Sequence, residues 1–407
     1  MNRGFLVILT AQFFSALGDN ALLFAAIALL KSLDAPSWQT PLLQQFFVVS
    51  FIVLSPFVGA FSDALPKGQV MFISNAIKTI GCLAMLLGIN PLAAYGLVGV
   101  GAAIYSPAKY GILTEYLPAH KLVWANGWME GLTVCAVILG AIIGGLLIGS
   151  HLVISPWLAD NLLPLLGDHA QQKFAIFIIL LLYLVAAIFN IFIPHLPIEH
   201  KLERMNPGFL VEDFWRGFLL LWKDPLGQVS LAVTTLFWGA GTTLRFIILA
   251  WAAASLSLDL ERGTQLTALV AVGLAFGSIL AAKFVPLNHS VNVLPLGIVM
   301  GIVVSSMVFV DTLWLGIIML IVVGTLAGSF VIPMNALLQY RGHLLMGSGH
   351  SIAVQNLNEN LSILVMLGCY ALMLKIDLST NSIIMIFGLF IAITMAMLNR
   401  LHGHDQD

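Results

Sequence analysis

Charge is what this chain has least of. Only 9% of its 407 residues are Asp, Glu, Lys or Arg, while 60% are hydrophobic. Soluble domains carry about 25% charged residues. So few charges cannot keep a surface of this size in water, which leaves lipid as the solvent for most of it. Cysteine is also scarce: Cys82, Cys135 and Cys369 each sit inside an apolar run. They read as small core hydrophobes rather than a disulfide framework or a metal site. A Gly-x4-Gly-Lys phosphate loop is missing, which excludes an ATP engine within the chain. The ten histidines are scattered through loops and ends, so no metal or other cofactor is expected. No nucleophile–base pair lies within the apolar runs, and the His402 to Asp407 spacing falls in a polar tail. An enzyme is therefore not expected. The net charge of −2 gives no case for a nucleic-acid partner.

What is present is length of apolar sequence. A spanning helix needs about 20 mainly apolar residues. Such runs occur near 5–31, 42–62, 70–89, 92–114, 122–150, 170–193, 226–256, 264–286, 291–310, 312–338, 350–375 and 379–400. The first is too long for a signal-peptide core and carries Asp19 at its middle, so it reads as a span. The expectation is an all-α membrane protein of about twelve transmembrane helices. Connections are short except at 151–170, with Pro156 and Trp157, and at 194–225.

The stretch 194–225 holds Glu199, Lys201, Glu203, Arg204, Glu212, Asp213, Arg216, Lys223 and Asp224. It divides the chain into an N-terminal six-helix bundle (1–193), a linker (194–225) and a C-terminal six-helix bundle (226–407). Within the linker, Phe214, Trp215, Phe218, Leu219 and Trp222 among charges predict an amphipathic helix along the membrane surface. With a cytoplasmic N-terminus, Arg3, Lys67, Lys121, Lys201, Arg204, Arg216, Lys223, Lys283, Arg341 and Arg400 flank the inside. Lys31, Lys173, Arg262 and Lys375 flank the outside. The positive-inside rule then places both termini in the cytoplasm, and in a bacterium puts the protein in the inner membrane.

A faint repeat relates the halves. Phe14 to Asp19 aligns with Phe237 to Thr242, and Ile104 to Pro107 with Phe330 to Pro333. Asn126 and Glu130 align with Asn356, Glu359 and Asn360. A common offset points to a parallel repeat of two pseudo-symmetric bundles.

Charges inside spans are costly, about 2.5–3.5 kcal/mol each on insertion scales, and those retained face a cavity or a partner. Here they are Asp19, Lys78, Lys109, Glu130, Arg245 and Glu359. In a two-bundle transporter the first, fourth, seventh and tenth spans line the central cavity. That fold class directs Asp19, Lys109 and Arg245 into it. One reading makes them a head-group site: Arg245 and Lys109 for phosphate, Asp19 for an ammonium. The other makes Asp19 and Arg245 a structural or gating ion pair. Glu130 and Glu359, with Asn126 and Asn356 or Asn360 about a turn away, suit either a substrate or coupling role or hydrogen-bonded helix packing. Lys78 is expected to snorkel or pair locally. Gly140, Gly144, Gly145 and Gly149, and Gly273 with Gly277, read as close helix packing.

The sequence resembles a known family. Gly59, Asp63 and Gly68 reproduce the Gly-x3-Asp-x4-Gly core of the loop between the second and third spans of the major facilitator superfamily. Gly59 would allow close approach, Asp63 would cap or pair at the cytoplasmic gate and Gly68 would let the loop turn; Gln69 and Val70 stand where basic residues are usual. More specific are Gly18-Asp19-Asn20-Ala21-Leu22-Leu23-Phe24, Tyr105-Ser106-Pro107-Ala108-Lys109-Tyr110-Gly111, Thr243-Leu244-Arg245-Phe246, Pro333-Met334-Asn335-Ala336 and Ile352-Ala353-Val354-Gln355-Asn356. These look like the bacterial lysophospholipid transporter family of that superfamily, over nearly the whole chain. The resemblance adds Asn20 and Asn335 to the substrate-binding set. It implies inward flipping of lysophospholipids, above all 2-acyl-glycerophosphoethanolamine, by alternating access and facilitated diffusion. It also implies a functional link to a cytoplasmic acyltransferase/acyl-carrier-protein synthetase that restores the second chain. The competing expectation is a proton-coupled drug or small-solute porter on the same scaffold, because fold does not fix substrate.

Overall fold

A computed structural model of the chain describes residues 3–35, 39–148, 163–197, 206–258 and 260–402. Pro156 and Trp157 of the long connection, the linker charges Glu199, Lys201, Glu203 and Arg204, Gly149, and the tail to Asp407 lie outside the described residues.

The described residues are helical with short connections, and no strand occurs among them. The helices are α1 (Arg3–Ser32), α2 (Gln39–Ala64), α3 (Lys67–Leu86), α4 (Pro91–Tyr116), α5 (Leu122–Ile148), α6 (Ala170–Ile191), α7 (Pro207–Lys223), α8 (Pro225–Leu256), α9 (Leu260–Phe284), α10 (Leu294–Ser306), α11 (Leu313–Met346), α12 (Ser348–Lys375) and α13 (Thr380–His402). A single helical turn, Leu163–Leu166, precedes α6. Among the described residues twelve segments are long and apolar enough to cross a membrane; α7 is not one of them. With no water to satisfy backbone groups, a bilayer admits helices that close their own hydrogen bonds. Side chains such as Val53, Leu146, Ile279 and Val365 are exposed and apolar.

Two compact units emerge. The first comprises Met1–Ile112 and Cys135–Phe214, the second Leu113–Val134 and Trp215–Asp407. Helix α5 thus begins in the second unit and ends in the first. In the first unit α6 packs on both α1 and α3. Small residues make that contact close: Ala21, Ala25 and Ala26 of α1 are buried with Ile176, Ile179 and Tyr183 of α6. Gly140 and Gly144 of α5 bring its backbone against Asn20 and Ala21 of α1, whereas Gly145 faces open space. Cys82 is buried, but Cys135 and Cys369 are exposed on the surfaces of their helices rather than in the core.

In the second unit α9 lies against α11 through glycines on both sides. A Cβ added at Gly273 or Gly277 would run into the α11 backbone, and one at Gly324 or Gly328 into the α9 backbone. Helix α8 starts sharply because Asp224 caps it, its carboxylate accepting from the Gly227 amide at 2.8 Å, with Pro225 at the first helical position. The same carboxylate accepts from Arg341 Nε of α11 at 2.9 Å and pairs with a second guanidinium nitrogen. Partial burial pushes the Asp224 carboxyl up, but the Arg341 and Gly227 hydrogen bonds outweigh it and hold the group below the usual carboxylate range.

Helix α7 is amphipathic. Phe214 and Leu221 are buried, while Val211, Trp215, Leu219 and Leu220 are exposed. Trp215 and Phe218 stack with ring centroids 4.8 Å apart.

The glycine contact makes a direct prediction. Gly324→Ala places a methyl group against the carbonyl of Val270 and lowers the thermal unfolding midpoint of detergent-purified protein, by the overpacking cost of about 1–3 kcal/mol. Gly145→Ala, with nothing facing it, leaves the midpoint unchanged.

Candidate functional site

Charged residues lie within the spans of both units. In the first unit, Asp19 sits just past the middle of α1, where Gly18 leaves room for the ring of Tyr183 from α6. The Tyr183 hydroxyl donates to Asp19 Oδ1 at 2.8 Å. Lys78 of α3 donates to Asp19 Oδ2 at 2.7 Å and to Ser15 Oγ at 3.0 Å. Its ammonium also lies 4.9 Å from the ring centroid of Tyr105 and 5.5 Å from that of Tyr183. Ser15 in turn donates to Asn75 Oδ1 at 2.8 Å. The result is a buried polar knot joining α1, α3, α4 and α6.

This corrects the expectation for Lys78, which neither snorkels nor pairs locally. Its side chain is fully buried, and Gly101 of α4 makes space for its stem. It also supplies Asp19 with an ion-pair partner from within the first unit, the role the sequence had offered to Arg245. Lys109, on α4 beyond Pro107, is buried, with its ammonium 3.2 Å from the Tyr110 hydroxyl and over that ring at 4.4 Å. Asn20 turns back on its own helix and donates to the Ala16 carbonyl at 2.8 Å.

At the α2–α3 junction Asp63 accepts from Lys67 at 2.7 Å, both side chains buried. Lys67 also donates to the Ser62 carbonyl, so the basic partner comes from this position rather than from Gln69 or Val70. Gly59 lies buried inside α2. Gly68 is not a turn residue: it sits in the first turn of α3, without a positive φ, where a side chain would meet Ile193 and the Asn190 carbonyl.

In the second unit, Glu130 of α5, Arg245 of α8 and Asn335 of α11 come together around a cavity of about 210 Å³. The rest of the wall is mostly apolar, including Phe237, Ile248, Leu274 and Val331. Glu130 and Asn335 are buried, whereas Arg245 is exposed. Among the described residues no hydrogen bond or ion pair engages the Arg245 guanidinium. Glu359 of α12 is tied in through an amide: Gln355 Nε2 donates to Glu359 Oε1 at 2.6 Å and to Asn335 Oδ1 at 2.9 Å. Asn356 is buried one position along, its carbonyl accepting from Asn360. Asn126 does not serve Glu130. It makes a reciprocal amide pair with Gln339 of α11, at 2.9 and 2.8 Å.

Sequence reasoning missed Lys78 as a partner, and with it Tyr183, Ser15, Gln339 and Gln355. The signal for Lys78 was its neighbourhood: Ser74 and Asn75 lie about one turn before it on α3. A lysine that follows polar residues on the same face points inward, not to the headgroups. No group of three or more metal-ligating side chains occurs among the described residues.

Twelve spans among the described residues are the number that a major facilitator transporter carries. The Major Facilitator Superfamily matches residues 8–352. The human organic anion transporter MFSD10 (TETRAN) superposes with a TM-score of 0.74, covering 98% of this chain and 100% of that one at 16% identity, a likeness of fold alone. Sequence relatives narrow the family. The lysophospholipid transporter LplT of Yersinia enterocolitica (serotype O:8 / biotype 1B) is 43% identical over 377 residues, 92% of this chain and 88% of that one. LplT of Serratia proteamaculans (strain 568) is 42% identical over 377 residues, 92% and 90% of the two chains. The chain belongs to the lysophospholipid transporter LplT family.

The reciprocal amide pair yields a double-mutant test. Asn126→Leu strands the Gln339 amide in the core and costs about 1–3 kcal/mol, whereas the double variant Asn126→Leu/Gln339→Leu recovers most of that loss. Thermal unfolding of the purified single and double variants measures both.

Proposed function

We propose that this protein moves lysophospholipids across the bacterial inner membrane to the cytoplasmic leaflet, with 2-acyl-glycerophosphoethanolamine as the favoured substrate. The observation that carries the reading is the cavity of the second unit, where the Arg245 guanidinium and the Glu130 carboxylate share a mostly apolar chamber. A lysophosphatidylethanolamine has complementary parts: an anionic phosphate, an ammonium and one acyl chain. The planar fork of Arg245 suits paired hydrogen bonds to phosphate. Glu130 attracts an ammonium, Asn335 offers an amide, and Phe237, Ile248 and Leu274 accept hydrocarbon. The relatives, transporters named for lysophospholipids, support the same substrate class.

In this reading Asp19, Asn20 and Lys109 from the first unit contribute to head-group contact along with Arg245 and Asn335. Glu130, besides meeting the ammonium, gates or braces the path together with Glu359, Asn126 and Asn356, and Gly59, Asp63 and Gly68 belong to the gate between α2 and α3. Both termini are cytoplasmic. Residues 1–193 and 226–407 act as the two bundles, with 194–225 as the linker and α7 along the membrane surface. Alternating access then spares the charged head group a passage through bare hydrocarbon. Transport is facilitated diffusion with no chemical change, and a cytoplasmic acyltransferase/acyl-carrier-protein synthetase draws it inward by consuming the product.

The test is uptake of labelled lysophosphatidylethanolamine by vesicles holding only this protein. Lipid is expected to cross unmodified at a rate indifferent to proton or sodium gradients. Arg245→Ala is expected to lower uptake at least tenfold, with membrane insertion intact; in free-energy terms tenfold is about 1.4 kcal/mol. Uptake that collapses with the proton gradient would instead favour a proton-coupled porter using the buried carboxyls Glu130 and Glu359. Normal transport by the Arg245 variant would remove that residue from the head-group site.

A further inference from the structure

The knot around Asp19 has an uneven exposure. The Asp19 side chain is 24% exposed, while that of Lys78 is 1% exposed. The ion pair therefore offers its carboxylate to the outside and hides its ammonium. The concealment is built: Gly101 gives way to the lysine stem, Ser15 accepts one of its hydrogens, and the Tyr105 and Tyr183 rings flank the charge. Asp19 spends one acceptor position of each oxygen on Lys78 and Tyr183. A carboxylate has about four such positions, so its open face can still accept from an incoming ammonium.

We propose that Lys78 sets the charge selectivity of the Asp19 site, cancelling the carboxylate's charge so that head groups of different net charge can approach it. This rests on the lysolipid reading above. A bare Asp19 would attract an ammonium, but it would also repel every phosphate carried beside it. In a partly desolvated site that repulsion is several times stronger than in water. With Lys78 held behind it, Asp19 keeps its directional acceptor capacity and loses most of its long-range field. A zwitterionic ethanolamine head group and a net-anionic glycerol head group then both reach the site. Lys78 touches no substrate in this scheme; it is a positioning residue that acts through Asp19.

The readout is a ratio rather than a rate. Purified parent and variants in vesicles are given lysophosphatidylethanolamine and lysophosphatidylglycerol in parallel. The parent is expected to move both. Lys78→Met, which uncovers the carboxylate, shifts the ratio toward the ethanolamine lipid about tenfold or more. Asp19→Asn, which leaves Lys78 uncompensated, shifts it toward the glycerol lipid. Asp19→Asn/Lys78→Met, neutral again, returns it to about the parent value. A loss of rate that is equal for both lipids in each single variant would make the pair merely structural and overturn the proposal, as would a parent that refuses the anionic lipid. Should Lys78→Met fail to insert, the Asp19→Asn variant and the double variant decide the matter by the same ratio. A parent that moves neither lipid overturns the function proposed above, a result distinct from an unchanged ratio in an active protein.

Discussion

An ionised side chain inside a bilayer must be answered by something close to it. This constraint governs the molecule more than any packing rule does. The effective penalty for taking an ion out of water is several kcal/mol, and a partner repays it only with good geometry and further hydrogen bonds. The first unit meets the condition internally. Asp19 and Lys78 neutralise each other, Tyr183 and Ser15 take up remaining positions, and the helices that carry them are held together by that network. Removing either charge alone would strand the other. The small residues along α1, Gly18 among them, follow from the same need, because the tyrosine that serves Asp19 must fit against its backbone.

The second unit meets it differently. Glu130, Arg245 and Asn335 are arranged around empty space rather than locked to one another. Neutral amides carry the fixed part of the framework: Asn126 with Gln339, and Gln355 reaching both Asn335 and Glu359. Amides suit this task in a low-dielectric medium. They hold register by directional hydrogen bonds without adding a charge that must itself be compensated. Glu130 and Arg245 line the cavity beside that framework.

The fold was legible because its signal is local. A run of about 20 apolar residues declares a span regardless of what lies elsewhere in the chain, and the twelve runs correspond to the twelve spanning segments. Where the reading slipped, the cause was local detail. The run near 291–310 begins with a short tight helix, Leu287–Val293, before α10, and α11 carries on past its apolar run to Met346. The site was only half legible. Insertion cost picks out Asp19, Glu130 and Arg245 one residue at a time, but partners are set by tertiary packing. Lys78 and Tyr183 reach Asp19 across 59 and 164 residues. Gln339 and Gln355 carry no charge and escaped a search for charges altogether. Gly68 was read from a loop motif, yet its surroundings are a helix start pressed against Ile193.

The internal repeat sharpens the comparison between halves. Asn126 and Glu130 correspond in sequence to Asn356, Glu359 and Asn360, yet the two sets do different work. Asn126 crosses to Gln339, while Glu130 lines the cavity. On α12 the neighbouring Gln355, not Asn356, takes the bridging role and holds Glu359. Likewise the region of Asp19 keeps its own counter-ion, while the corresponding region of α8 presents Arg245 with none among the described residues. A duplicated bundle that stayed symmetric would offer the same chemistry twice. A lysolipid is not symmetric: its phosphate wants an open cation, its ammonium an acceptor, its acyl chain an apolar wall. Divergence of the two halves, one with its acid already balanced and one with its cation uncommitted, is what recognition of such a molecule would demand of a repeat.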